Sequence, residues 1–115
     1  IAYQRLAYHK KAASILRDLV SVAPGNVTYR YALGASLLGA GDLEGAEKAF
    51  LAVLAAEPSN RKSLFSLAVV FEKRGAVEQA RETFRRYLSI DPNGEWADSA
   101  RAHLKGLERS GGGKR

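Results

Sequence analysis

The chain has 115 residues, 46% of them hydrophobic, a formal net charge of +6, and neither cysteine nor methionine. That length and apolar content suit one modest domain, and the lack of cysteine excludes a disulfide framework, thiolate metal sites and thiol nucleophiles. No apolar run approaches the roughly 18 to 20 residues that a membrane-spanning helix needs, so the chain reads as soluble, with bacterial cytoplasm and periplasm both open. The positive charge is scattered: +4 over residues 1–41, −3 over 42–60, +3 over 61–91 and +2 over 92–115. That is scattered charge with one acidic interruption.

In chain order, residues 1–22 carry apolar residues at helical spacing and stop before Pro24. The opening "IAYQRL" begins inside this pattern, which reads as a fragment whose natural start lies upstream. Two helical readings are open here, one helix end followed by a whole helix, or one long helix across both. The repeat that starts at residue 27 opens with a second helical run, which leads into the glycine-rich "GAGDLEG", Gly39 to Gly45. A dinucleotide fingerprint requires G-x-G-x-x-G after a strand, whereas this stretch reads G-x-G-x-x-x-G after a helical run, and Lys48 does not follow a glycine as in a Walker loop. Gly41 is therefore expected to end a helix in the left-handed conformation, Asp42 to cap the next, and Gly45 to be small where two helices approach.

Prolines occur only at Pro24, Pro58 and Pro92, at a constant interval of 34 residues. Aligning residues 27–60 with 61–94 pairs Leu33 with Leu67, Leu37 with Phe71, Gly41 with Gly75, Ala46 with Ala80 and Phe50 with Phe84. Residues 1–26 join from their second half, with Ala12 and Leu16 at the places of Ala46 and Phe50 and with Ala7 where the turn glycine falls. Each copy contains two amphipathic stretches, as in Ala46, Phe50, Val53 and Leu54, or Ala80, Phe84, Tyr87 and Leu88. Glycine separates the two and proline follows the second. The unit is helix, turn, helix, stop.

This pattern resembles the tetratricopeptide repeat, whose 34-residue signature runs through leucine-glycine, alanine, phenylalanine and proline. The matches are Leu33-Gly34, Ala46, Phe50 and Pro58, then Leu67-Ala68, Phe71, Ala80, Phe84 and Pro92, while Arg30 and Leu64 depart from the favoured tryptophan. "PNGEWADSARAHLKGLE" looks like the extended entry of bacterial cell-envelope members. The resemblance implies an all-α fold, a right-handed α-solenoid of antiparallel helix pairs. It comprises one domain over 1–109: a partial repeat 1–26, repeats 27–60 and 61–94, and a capping helix at about 95–109 with Ala97, Ala100, Leu104 and Leu107 inward. Residues 110–115 read as a flexible tail.

No catalytic or metal constellation emerges. His9 and His103 are far apart in the repeat order and read as surface histidines, and no serine has a paired base. The chain reads as a non-enzyme without cofactor or metal. In the family, first helices line a concave surface and present partner-facing residues. Carried over, these are Ile1, Gln4 and Arg5; Thr28, Tyr31, Ala35 and Leu38; Lys62, Phe65, Val69, Glu72 and Lys73, with His103 from the cap. The carboxylate clamp of chaperone-binding relatives is not reproduced, because Ala32 and Ser66 occupy two of its places and only Lys62 matches.

What the resemblance implies is a protein-interaction module with a peptide-binding groove of Arg5, Tyr31, Ala35, Leu38, Lys62, Phe65, Val69 and Lys73. An apolar centre with a basic rim fits a peptide with apolar anchors and some acidic residues. Tyr31 and Phe65 also have a second available role, packing against neighbouring helices. Two other functions compete: an architectural section of a longer solenoid with no ligand of its own, and nucleic-acid binding through Arg81, Arg85 and Arg86 with Lys73 and Arg74. Glu78 and Glu82 dilute that last stripe, and no aromatic residue interleaves with it.

Overall fold

A computed structural model describes residues 2–112 and contains six helices: α1 (Ala2–Val22), α2 (Val27–Gly39), α3 (Leu43–Ala56), α4 (Arg61–Lys73), α5 (Val77–Ile90) and α6 (Ala97–Gly112). No strand occurs among the described residues. The helices fall into two compact units, residues 1–58 and 59–115. In the first, α2 packs against both α1 and α3; in the second, α5 packs against both α4 and α6.

The helix boundaries repeat at the proline interval, since α4 begins and ends 34 residues after α2, and α5 does the same after α3. Gly41 (φ 86°) and Gly75 (φ 81°) are the positive-φ residues at the two intervening turns. At the first, the Asp42 amide donates to the Leu37 carbonyl (2.9 Å) and the Gly41 amide to the Leu38 carbonyl (3.0 Å). The second repeats this with the Ala76 amide on Phe71 and the Gly75 amide on Glu72. These paired bonds close a helix end whose last carbonyls lack intrahelical partners, and the left-handed residue they require favours glycine.

Helix starts are less uniform. Asn26, Asp42 and Asn60 each accept a bond from a backbone amide three residues on, those of Tyr29, Gly45 and Ser63. Ala76 begins α5 with no side-chain cap. The expected reason for Gly45 needs correction: a Cβ there would meet the capping carboxylate of Asp42 at 2.7 Å rather than a facing helix. Close helix approaches are at Gly34, where a Cβ would lie 2.7 Å from the Phe50 ring, and at Gly39, where one would lie 2.6 Å from His9.

Residues 2–22 resolve as one uninterrupted helix. Ala7, a strong helix former, stands where the other copies have a left-handed glycine, and nothing in the sequence there ends the helix. α6 runs three residues past the expected end of the capping helix, to Gly112; tail residues 113–115 lie outside the described residues. The apolar interior includes Leu37, Ala46, Phe50 and Val53 in the first unit and Leu67, Phe71, Ala80, Phe84 and Tyr87 in the second, with Ala97, Ala100 and Leu107 of α6 buried as expected.

Candidate functional site

The first unit presents two surfaces of interest. On α2, Tyr31, Ala35 and Leu38 recur at helical spacing, so they share a face. Ala35 is exposed and Leu38 half-buried, while the half-buried Tyr31 ring lies 5.6 Å from the Phe50 ring, tilted by 51°. Thr28 and Gln4 are exposed, and Ile1 lies outside the described residues.

Arg5 lines a different feature, a shallow hollow of about 490 Å³ at the end of α2 formed with Leu6, His9, Gly39, Ala40 and Gly41. Neither Tyr31 nor Ala35 reaches it. His9 is half-buried rather than a surface residue, because its ring rests on Gly39, where a Cβ would be 2.6 Å away. A second hollow, of about 460 Å³, brings Arg17, Arg30, Asp42, Glu44 and Lys48 together on residues from all three helices. These five lie up to 31 positions apart in the chain (17 to 48), so only the tertiary arrangement reveals their proximity.

In the second unit, Phe65, Val69 and Glu72 share a face of α4, with Lys62 and Lys73 exposed towards its two ends. Phe65 is the hub of an aromatic cluster. Its ring lies 5.8 Å from Phe84, 5.7 Å from Tyr87, 6.2 Å from His103, and 5.8 Å from Trp96 in a stacked arrangement. His103 is half-buried too, its Nδ1 2.7 Å from the Glu72 carboxylate. Of the two roles open to the pair in the sequence, packing describes Phe65 well and Tyr31 in part. Trp96, absent from the expected site, belongs to this cluster; its signal was a lone tryptophan directly before the capping helix.

The electrostatics of α5 bear on the nucleic-acid reading. Arg81 is hydrogen-bonded to Glu78, and that contact holds the Glu78 carboxyl below the usual carboxylate range, aided by the Arg81 charge. Arg85 donates to Glu108 at 2.7 Å. Two members of the supposed basic stripe thus carry acidic partners, which lowers the positive potential available to phosphates. Among the described residues, no group of three histidines or carboxylates is arranged to hold a metal ion. No helix among them is long and apolar enough to cross a membrane.

Helical hairpins repeating every 34 residues, turned by left-handed glycines, define the class of helix-pair repeat proteins. The family model for the tetratricopeptide repeat matches residues 2–58 and 31–95. The chain belongs to the tetratricopeptide repeat family, an all-α solenoid fold. Its fold is similar to the Arabidopsis OM64 TPR domain, at 21% identity and a TM-score of 0.80, covering 94% of this chain and 86% of that one. It is also similar to MamA (residues 41 to the end) from Desulfovibrio magneticus RS-1, at 19% identity and 0.72, covering 93% and 70%. No curated protein matches the chain. Tetratricopeptide repeat domains generally mediate protein–protein interaction, and the fold is a non-catalytic scaffold.

Proposed function

We propose that this chain binds extended or helical peptide segments of a partner protein through the partly accessible faces of its first helices, that of α2 in one unit and that of α4 in the other, each taken by itself. The observation that carries this reading is the accessibility of apolar side chains on both first helices: exposed Ala35 and half-buried Leu38 on α2, half-buried Val69 on α4, with Lys62 and Lys73 exposed towards the two ends of α4. Apolar positions supply anchors, and the lysines favour acidic residues in the ligand. Arg5 contributes through its own hollow beside Gly39. Tyr31 and Phe65 act chiefly by shaping these faces, since their rings pack on Phe50 and on the α5–α6 aromatics.

The test is capture of binders from a displayed random-peptide library by the chain, followed by titration of a selected peptide. Ala35→Glu and Val69→Glu are expected to weaken binding by at least about tenfold, and Lys62→Glu with Lys73→Glu to weaken acidic peptides selectively. Circular dichroism checks that each variant remains helical. A selected peptide whose affinity is unaffected by all four changes removes this reading.

A further inference from the structure

Helix α1 carries two apolar faces, only one of which is covered. Ala13 is buried and Leu6, His9, Leu16 and Val20 are half-buried on the side of α2. On the other side Tyr8, Ile15, Leu19 and Val22 are 69%, 55%, 37% and 83% exposed. The 34-residue register makes this unusual. Ile15 and Leu19 occupy the places of Ala49 and Val53 in α3, which are 7% and 0% exposed.

The spacing on this face is specific. Tyr8, Ala12, Ile15, Leu19 and Val22 follow one another at alternating intervals of four and three residues, the seam of a two-helix coiled coil and narrower than an ordinary core stripe. One flank of the seam, carrying His9 and Leu16, faces α2. The other flank carries Lys11 and Asp18, both exposed and neither in an ion pair among the described residues.

We propose that this face pairs α1 with α1 of a second copy of the chain, antiparallel about a two-fold axis. In that arrangement Tyr8 faces Leu19 of the second copy and Ala12 faces its Ile15, each contact occurring twice as two-fold symmetry requires. The same alignment brings Lys11 beside Asp18 of the second copy, and Asp18 beside its Lys11. A parallel pairing would set Lys11 beside Leu16 and leave both charges unmatched, so the charges select the antiparallel form. In this alignment the apolar overlap runs from Tyr8 to Leu19, about 17 Å at 1.5 Å per residue, with Val22 opposite Arg5 of the second copy, a small interface that gives reversible dimers. The α2 and α4 residues proposed for peptide binding lie outside this seam, and the inference does not depend on them.

Sedimentation velocity on the chain between about 1 and 300 µM tests it, a range suited to a small interface. A concentration-dependent dimer is expected. Ile15→Glu and Leu19→Glu are expected to weaken it by at least about tenfold while leaving the helical spectrum intact, because both side chains are exposed in the single chain. Lys11→Glu alone and Asp18→Lys alone should each weaken the dimer, and the two together should restore it. A chain monomeric throughout, as when another helix covers the seam, overturns the proposal. So does a dimer that is indifferent to Ile15→Glu and Leu19→Glu, or one that the combined charge exchange fails to rescue.

Discussion

The imidazole of His103 lies nearly parallel to the ring of Phe84, with centroids 5.2 Å apart and planes 14° apart. Phe84 is fully buried on α5, so the histidine is part of the lid of the second unit's core, held at its other edge by Glu72. His103→Ala is expected to destabilise the chain by about 1–2 kcal/mol, the worth of a stacked ring contact plus a hydrogen bond. Urea denaturation measures this, and an unchanged midpoint would remove the stack from the account of stability.

Phe65 and Tyr31 should separate by the same measurement. Phe65 touches the rings of Phe84, Tyr87, Trp96 and His103, while Tyr31 is tilted onto Phe50, so Phe65→Ala is expected to cost about 3 kcal/mol and Tyr31→Ala about 1–2. Equal losses would contradict the unequal packing.

The uncapped start of α5 offers a gain. Ala76→Asn gives the Gln79 amide an acceptor like that which Asn60 gives Ser63, and should stabilise by about 1 kcal/mol. Asp42→Ala should lose a similar amount. A melting temperature that stays put in both variants would mean the turns, not the caps, define these helix starts.

Alkaline stability should depend on Tyr87. Burial pushes its hydroxyl above the ordinary value of 10.0, and the hydrogen bond to Asp91 at 2.9 Å adds to this. The folded state therefore favours the protonated phenol. Its contribution is fully present below pH 10 and is lost as pH rises through the higher folded value. Thermal melts of the wild type should fall across that window, and those of Tyr87→Phe should fall less; parallel curves would exclude this residue as the source.

Much of the architecture was legible because its determinants are local. Gly41 and Gly75 each set a backbone conformation within one turn, and the apolar periods of Ala46–Leu54 and Ala80–Leu88 mark buried faces without knowledge of neighbours. The first helix was ambiguous because its register predicts a turn while Ala7 favours continuation, and no residue beside it ends the helix. The site was less readable. Family register put Tyr31 and Phe65 among partner contacts, but their surroundings are set by Phe50, Phe84, Tyr87 and Trp96, whose positions depend on packing between helices. Gly45 shows the same limit at shorter range, since its size answers to the rotamer of Asp42.

Asp91 receives the Tyr87 hydroxyl on one carboxylate oxygen and the Arg61 guanidinium, at 3.4 Å, on the other. It thereby fastens the first residue of α4 to the end of α5. At the corresponding places of the preceding unit stand Val27 and Val53, whose side chains have no proton to donate. The two halves of the chain accordingly differ in how they are closed at this end. Cutting both ties, as in Arg61→Ala with Asp91→Asn, should let the amides of the α4–α5 hairpin exchange with solvent deuterium sooner than in the unaltered chain.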